Sequence, residues 1–108
     1  MLLTDKVVIV TGGGHGIGRA YSKGIANEGG RVVVADIDGP AADSVAEDIQ
    51  GTGGEALAVQ ADVASLASCQ EMAQKALDRF GQIDGLINNA AIFATVPMSR
   101  VGFQDISE

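Results

Sequence analysis

Apolar positions along this chain follow two alternating periods. Val7-Val8-Ile9-Val10 is an unbroken apolar run, the pattern of a strand covered on both faces. Arg31 to Asp36, centred on Val32-Val33-Val34-Ala35, predicts a second strand; Ala56 to Ala61 and Gly85 to Asn88 predict a third and a fourth. Between these runs the period changes to three or four residues. Ile17, Tyr21 and Ile25 share a helical face with Glu28, with Ala20 and Gly24 alongside, and Gly29-Gly30 ends that helix. Pro40 suits a first helical position, Ala42, Val45, Ala46 and Ile49 continue an apolar stripe behind it, and Gly51 to Gly54 breaks it. Leu66, Cys69, Met72, Ala73, Ala76 and Phe80 mark a third helix, capped by Ser65 and closed by Gly81. Residues 89–104 lack clear periodicity, and Ser107 has the character of a helix cap.

Strands alternating with helices of this length imply βαβ units and a parallel sheet. The turn after the first strand carries the strongest chemical signal: Thr11-Gly12-Gly13-Gly14-His15-Gly16-Ile17-Gly18. A strand that ends in a tight turn must reverse within a few residues, and Gly12 takes a positive φ at little cost. Gly16 has no Cβ to obstruct an approaching phosphate oxygen, and Gly18 lets the helix pack closely on the strand. Free N–H groups and the helix dipole then favour an anion at the helix start. Gly14 belongs to the same cradle. A flexible glycine-rich surface loop is the plain alternative.

Spacing narrows the choice. The strict G-x-G-x-x-G pattern fails, because Ile17 and Arg19 stand where its last glycine would be. A P-loop is a near miss: Gly13 and Gly18 are correctly spaced, but Arg19-Ala20 replaces the Lys-Ser/Thr that grips a γ-phosphate. The spacing that fits is T-G-x-x-x-G-x-G. With right-handed crossovers and the pyrophosphate site after the first strand, the expected architecture is an α/β, Rossmann-type parallel sheet of order 3-2-1-4 with flanking helices, truncated after the fourth strand. Its carboxyl-end loops bring the 12–18 turn, Asp36, Asp62 and Asn88-Asn89 to one crevice.

Composition bounds the rest. The 108 residues allow one domain, and 46% apolar content suits a globular core. A net charge of −7 with seven scattered basic residues argues against nucleic acid or an acidic membrane surface as partner. Cys69 is the sole cysteine, so no internal disulfide or cysteine-based zinc cage forms; on its apolar helix face it reads as buried packing. With no apolar stretch of membrane-spanning length, a soluble cytoplasmic protein is the expectation.

Four ordered motifs together resemble the short-chain dehydrogenase/reductase family: Thr11-Gly12-x-x-x-Gly16-Ile17-Gly18, Asp36 at the end of the second strand, Asp62-Val63 at the end of the third, and Asn88-Asn89-Ala90-Ala91 after the fourth. Ala91 stands where the family's usual motif has glycine. The resemblance covers essentially the whole chain and implies an NAD(P)-binding Rossmann domain over residues 1–108, the N-terminal part of a longer dehydrogenase. It implies hydride transfer between nicotinamide and an alcohol or carbonyl substrate, and leaves homo-oligomerisation open. By the same resemblance Asp36 accepts hydrogen bonds from the adenosine ribose hydroxyls, Asp62 binds the adenine amino group, Val63 contacts the ring, and Asn89 and Ala90 line the cofactor near its ribose. Asp36 as a strand-end turn residue, Asp62 as a local cap and Asn88-Asn89 as turn formers stay open beside these roles. Asn88 has a further candidate role, tying neighbouring strands through its amide.

Charge makes the cofactor expectation sharper. A carboxylate at position 36 accepts from a free 2′-hydroxyl and repels a 2′-phosphate. Two unit charges 4 Å apart at an effective ε near 20 repel by about 4 kcal/mol before screening, which favours NAD over NADP. His15 stands where NADP-using family members often carry Arg or Lys. A mostly neutral imidazole is a weak phosphate ligand, and a solvated loop residue is the alternative for it.

The family's catalytic groups have no place here. They are a tyrosine with a lysine four residues later, a serine that polarises the substrate oxygen and an asparagine in a proton relay. Tyr21 is the sole tyrosine, and Ile25 follows it at the lysine position. A tyrosine of ordinary pKa near 10 is a poor base at neutral pH. The sequence therefore points to a dinucleotide-binding half without turnover of its own, or to a non-catalytic NAD-binding or interaction module of the same fold. Truncation also predicts a bare edge on the fourth strand and a partly bare apolar sheet face.

Overall fold

A computed structural model describes residues 1–89 of the chain. The elements run β1 (Val7–Thr11), α1 (Gly16–Asn27), β2 (Arg31–Asp36), α2 (Gly39–Gly51), β3 (Glu55–Gln60), α3 (Leu66–Phe80) and β4 (Gly85–Asn88). All four strands are parallel, in the order β3-β2-β1-β4. Ile9 lies between Val33 and Leu86 in the register, and Val33 pairs in turn with Leu57. The expected Rossmann-type order is what forms. Each parallel connection requires a crossover, and the three helices supply it.

Two apolar layers sandwich the sheet. Val8, Val10, Val32 and Val34 pack with Ile25 of α1 and with Ala42, Val45, Ala46 and Ile49 of α2. The alternate residues Val7, Ile9, Val33, Ala35 and Val59 pack with Met72 and Ala76 of α3. Every residue of β1 is buried, which is why its sequence is a run and not an alternation. Each fully buried Val or Ile contributes about 1.5–3 kcal/mol of transfer free energy. β1 and β2 therefore form a stable base for the turns at their carboxyl ends.

The helix faces differ from the periodicity in two places. Ile17 and Tyr21 are 58% and 46% exposed, and α1 buries Gly18, Ser22 and Ile25. The helix approaches the β1 turn so closely that only small side chains fit the near face of its first two turns. In α3 the buried set is Met72 and Ala76; Leu66 is exposed and Cys69 only half-buried, its thiol donating to the Val63 carbonyl at 3.6 Å. The strand ends shift by a residue, since β1 takes in Thr11 and β3 spans 55–60. Gly81 closes α3 as expected, with φ 82° and its N–H on the Leu77 carbonyl at 2.8 Å.

β4 pairs with β1, and its pairing is reinforced at both ends. Asp84 exchanges bonds with Val7, accepting from the Val7 N–H at 2.8 Å and donating its own N–H to the Val7 carbonyl at 2.7 Å. At the other end the Thr11 hydroxyl meets Asn88 Oδ1 at 2.9 Å, the strand-tying role open to Asn88. Leu86, on the α3 side of the sheet, is 57% exposed, whereas Ile87 on the opposite face packs against the α1/α2 layer. No helix among the described residues is long and apolar enough to cross a membrane. Ala90, Ala91, the aperiodic stretch to residue 104 and the Ser107 cap lie outside the described residues.

Candidate functional site

The glycine turn is held by its neighbours, and each glycine answers a different demand. Gly12 has φ 66° and starts the reversal after β1. Gly13 and Gly14 then run beside β2: the Gly13 N–H donates to the Ala35 carbonyl and the Gly14 N–H to Asp36 Oδ2, both at 3.0 Å. A Cβ on Gly14 would lie 2.8 Å from Ala41 Cβ, so this glycine lets the turn pack on the start of α2. Gly16 has φ 49°, and a Cβ there would meet nothing within 4 Å. A Cβ on Gly18 would overlap the Gly12 carbonyl oxygen and lie 2.7 Å from its carbon. Gly18 thus permits the close approach of α1, with Gly12 of the turn as the surface it meets.

The start of α1 is left open. Its N-cap, His15, makes no side-chain capping bond. The first intrahelical bond is Arg19 N–H to the His15 carbonyl at 3.0 Å. The N–H groups of residues 16–18 therefore precede the helical ladder, with the positive end of the dipole behind them. Ser22, fully buried one turn along, donates to the Gly18 carbonyl at 2.9 Å, with the Gly13 carbonyl at 3.4 Å. It joins helix to turn. An open helix start beside a glycine turn offers backbone donors to an anion.

Asp36 ties two backbone segments together. It is buried, and both of its oxygens serve the protein: Oδ2 accepts from Gly14 and Oδ1 from the Asp38 N–H, each at 3.0 Å. His15 is exposed, with Nε2 3.0 Å from Asp38 Oδ2, so it is not a loop residue facing only solvent. Asn89 comes to the turn; its Nδ2 lies 3.1 Å from where a Gly18 Cβ would be. Ile17 projects outward at the helix start. Asp62 and Val63 lie past the end of β3, two strands from the turn. Asp62 Oδ1 accepts from the Ala64 N–H at 2.9 Å and its own N–H donates to Ser68 Oγ at 2.9 Å, the local capping role left open for it. The fold thus joins the 12–18 turn, Asp36 and Asn89 directly, and holds Asp62 and Val63 at the same end of the sheet.

Two participants escaped the sequence. Asp38 caps α2 by accepting from the Ala41 N–H at 3.2 Å, and Asp38-Gly39-Pro40 is a recognisable cap-and-proline signal. Ser22 has no such signal, being a mid-helix serine four residues after Gly18. At the opposite end of β1, the bond from the Val7 N–H holds the Asp84 carboxyl below the usual carboxylate range. The Gln82 amide and the charge of Lys6 add to that effect, and desolvation opposes it.

The sequence model of the family described as short chain dehydrogenase matches residues 6–108. The chain is 47% identical over 96 residues to the L-rhamnose 1-dehydrogenase (NAD(P)(+)) of Azotobacter vinelandii, covering 85% of this chain and 38% of that protein. It is 40% identical to the short-chain dehydrogenase/reductase homolog YusS of Bacillus subtilis, a match covering 91% of each. A crystal structure of a short chain dehydrogenase from Mycobacterium avium superposes with a TM-score of 0.82 at 39% identity, over 96% of this chain and 40% of that one. A 7α-hydroxysteroid dehydrogenase complexed with NADH and 7-oxo glycochenodeoxycholic acid gives 0.76 at 38% identity, over 78% of this chain and 33% of that one. The chain spans about two fifths of the length of the L-rhamnose dehydrogenase.

Proposed function

The chain belongs to the short-chain dehydrogenase family, and on that premise we propose that it carries the dinucleotide-binding half of an NAD-dependent oxidoreductase. The observation that carries this reading is the start of α1. It has no side-chain cap, Gly12 and Gly16 flank it in left-handed backbone, and the space a Gly16 Cβ would take is empty. That cradle fits a pyrophosphate, whose charge would be met by the amides of residues 16–18 and the helix dipole.

The remaining groups take their places around it. Gly12, Gly14, His15, Gly16, Ile17 and Gly18 form the wall beside the pyrophosphate. Asp36 has lone pairs beyond those given to Gly14 and Asp38, and with them accepts the adenosine ribose hydroxyls. Asp62 and Val63 hold the adenine, and Asn89 with Ala90 borders the second ribose. The bound nicotinamide supplies the hydride acceptor or donor. The carboxylates of Asp36 and Asp38 disfavour a 2′-phosphate, so the preference is for NAD over NADP. The substrate is an alcohol or carbonyl compound. Residues 1–108, whose sole tyrosine, Tyr21, lies in α1 with no lysine four residues on, bind the cofactor without turning over substrate.

Calorimetric titration of the purified chain tests this. NAD is expected to bind with micromolar affinity, and NADP at least about tenfold more weakly on the charge argument. Absence of NAD binding sinks the reading; equal affinity for NADP removes the discrimination. An alcohol screen with NAD is expected to show no reduction, and turnover free of host enzymes would overturn the inactive assignment.

A further inference from the structure

Asp36 links two loops that a ribose contact alone would not require it to link. The residue is 6% exposed. One oxygen holds the Gly14 N–H, in the middle of the turn after β1, and the other holds the Asp38 N–H, at the cap of α2. Gly14 sits between two left-handed glycines, Gly12 and Gly16, where the backbone has the widest choice of conformation. What holds this stretch to the rest of the protein on the β2 side is the Gly13 bond to the Ala35 carbonyl and the Gly14 bond to Asp36.

We propose that Asp36 is a positioning residue for the anion cradle: its carboxylate fixes the glycine turn in its binding shape before a dinucleotide arrives. The inference rests on the reading of the α1 start as a pyrophosphate site, and it adds to the ribose contact a role that acts through Gly14.

Charge separates the two roles. A carboxylate near an anion site repels the anion. If Asp36 acted on the ribose alone, neutralising it would leave pyrophosphate binding unchanged or tighten it. If it holds the turn, neutralisation has the opposite sign. Asparagine keeps the shape, but its amide nitrogen donates and cannot accept, so the bonds from the Gly14 and Asp38 N–H groups cannot both survive; one N–H faces a donor, and the clamp that holds the turn to the α2 cap opens.

The experiment titrates the whole chain with inorganic pyrophosphate, which has no ribose. Asp36→Asn is expected to bind it about tenfold more weakly than wild type, with NAD weakened by at least that factor. Unchanged or tighter pyrophosphate binding by folded Asp36→Asn overturns the inference. A second measurement needs no variant: amide hydrogen exchange in the ligand-free wild type. The Gly14 and Asp38 amides are expected to exchange much more slowly than that of Gly16, and Gly14 exchange as fast as Gly16 overturns the inference too. If wild type binds neither pyrophosphate nor NAD, the dinucleotide reading itself falls and takes this role with it. If wild type binds both and only the Asp36→Asn result or the exchange pattern disagrees, the positioning role alone falls.

Discussion

Three helices begin at the carboxyl end of the same sheet, and they begin differently. α2 is sealed by Asp38 and α3 by Ser65, each accepting from the N–H three residues on at 3.2 Å. α1 follows a glycine turn, has His15 at its N-cap and makes no side-chain capping bond. Capping is worth about 1 kcal/mol, so a helix that omits it gives up stability at that point. The difference teaches where stability and binding separate. α2 and α3 each satisfy one first-turn donor with their own cap side chain; α1 keeps its donors available, and the glycine turn clears the space in front of them.

The contrast is broken most severely at Gly18. Gly18→Ala forces a methyl into the Gly12 carbonyl, and the overlap is expected to cost about 3 kcal/mol, read as a lower urea midpoint, with NAD binding lost. An unchanged midpoint would mean that α1 does not pack on the turn as described. Next comes Ser65→Ala, which uncaps α3 and is expected to lower stability by about 1 kcal/mol while leaving NAD affinity alone. A binding loss there would show that α3's start matters to the site.

The reverse change sharpens the comparison. His15→Ser gives α1 a capping hydroxyl at backbone angles suited to it (φ −137°, ψ 150°). The gain is expected to be at most about 1 kcal/mol, accompanied by several-fold weaker NAD binding, because the new cap competes for the donors. Tighter NAD binding would contradict the open-donor account. The smallest effect concerns the far end of β1. The Asp84 carboxyl titrates below its ordinary value because its charged form accepts from Val7 and Gln82. Its contribution to stability is therefore present above the ordinary carboxylate pKa and lost as pH falls through the lowered folded value. Asp84→Asn is expected to flatten that acid limb of the stability–pH curve without altering NAD affinity at neutral pH; an unchanged limb would place the acid sensitivity elsewhere.

Much of this molecule was legible in residue order. Four apolar runs separated by helical periods lead to β3-β2-β1-β4, because short connections and right-handed crossovers leave few arrangements. Gly12 and Gly18 were legible because their demands are local: a left-handed turn and a close crossing. The buried face of α1 was not. Periodicity selects Ile17 and Tyr21 by their apolar character, whereas the distance between helix and turn selects Gly18 and Ser22 by their size. Asp62 shows a related limit, since a strand-end aspartate caps its own loop and faces a crevice with the same residue type.

The sequence by itself determined the order of elements, the turn that stands before α1 and the family to which the chain belongs, since these follow from spacing along the backbone. Only the tertiary structure decided that the Asp36 carboxylate lies buried against Gly14, that His15 meets Asp38, and that Ser22 reaches from α1 to the Gly13 carbonyl of the turn. The bonds of Gly14 to Asp36, His15 to Asp38 and Ser22 to Gly13 join separate segments of the chain. Their hydrogen-bond partners are set by how closely β1, β2 and two helices pack, a distance that no local pattern encodes.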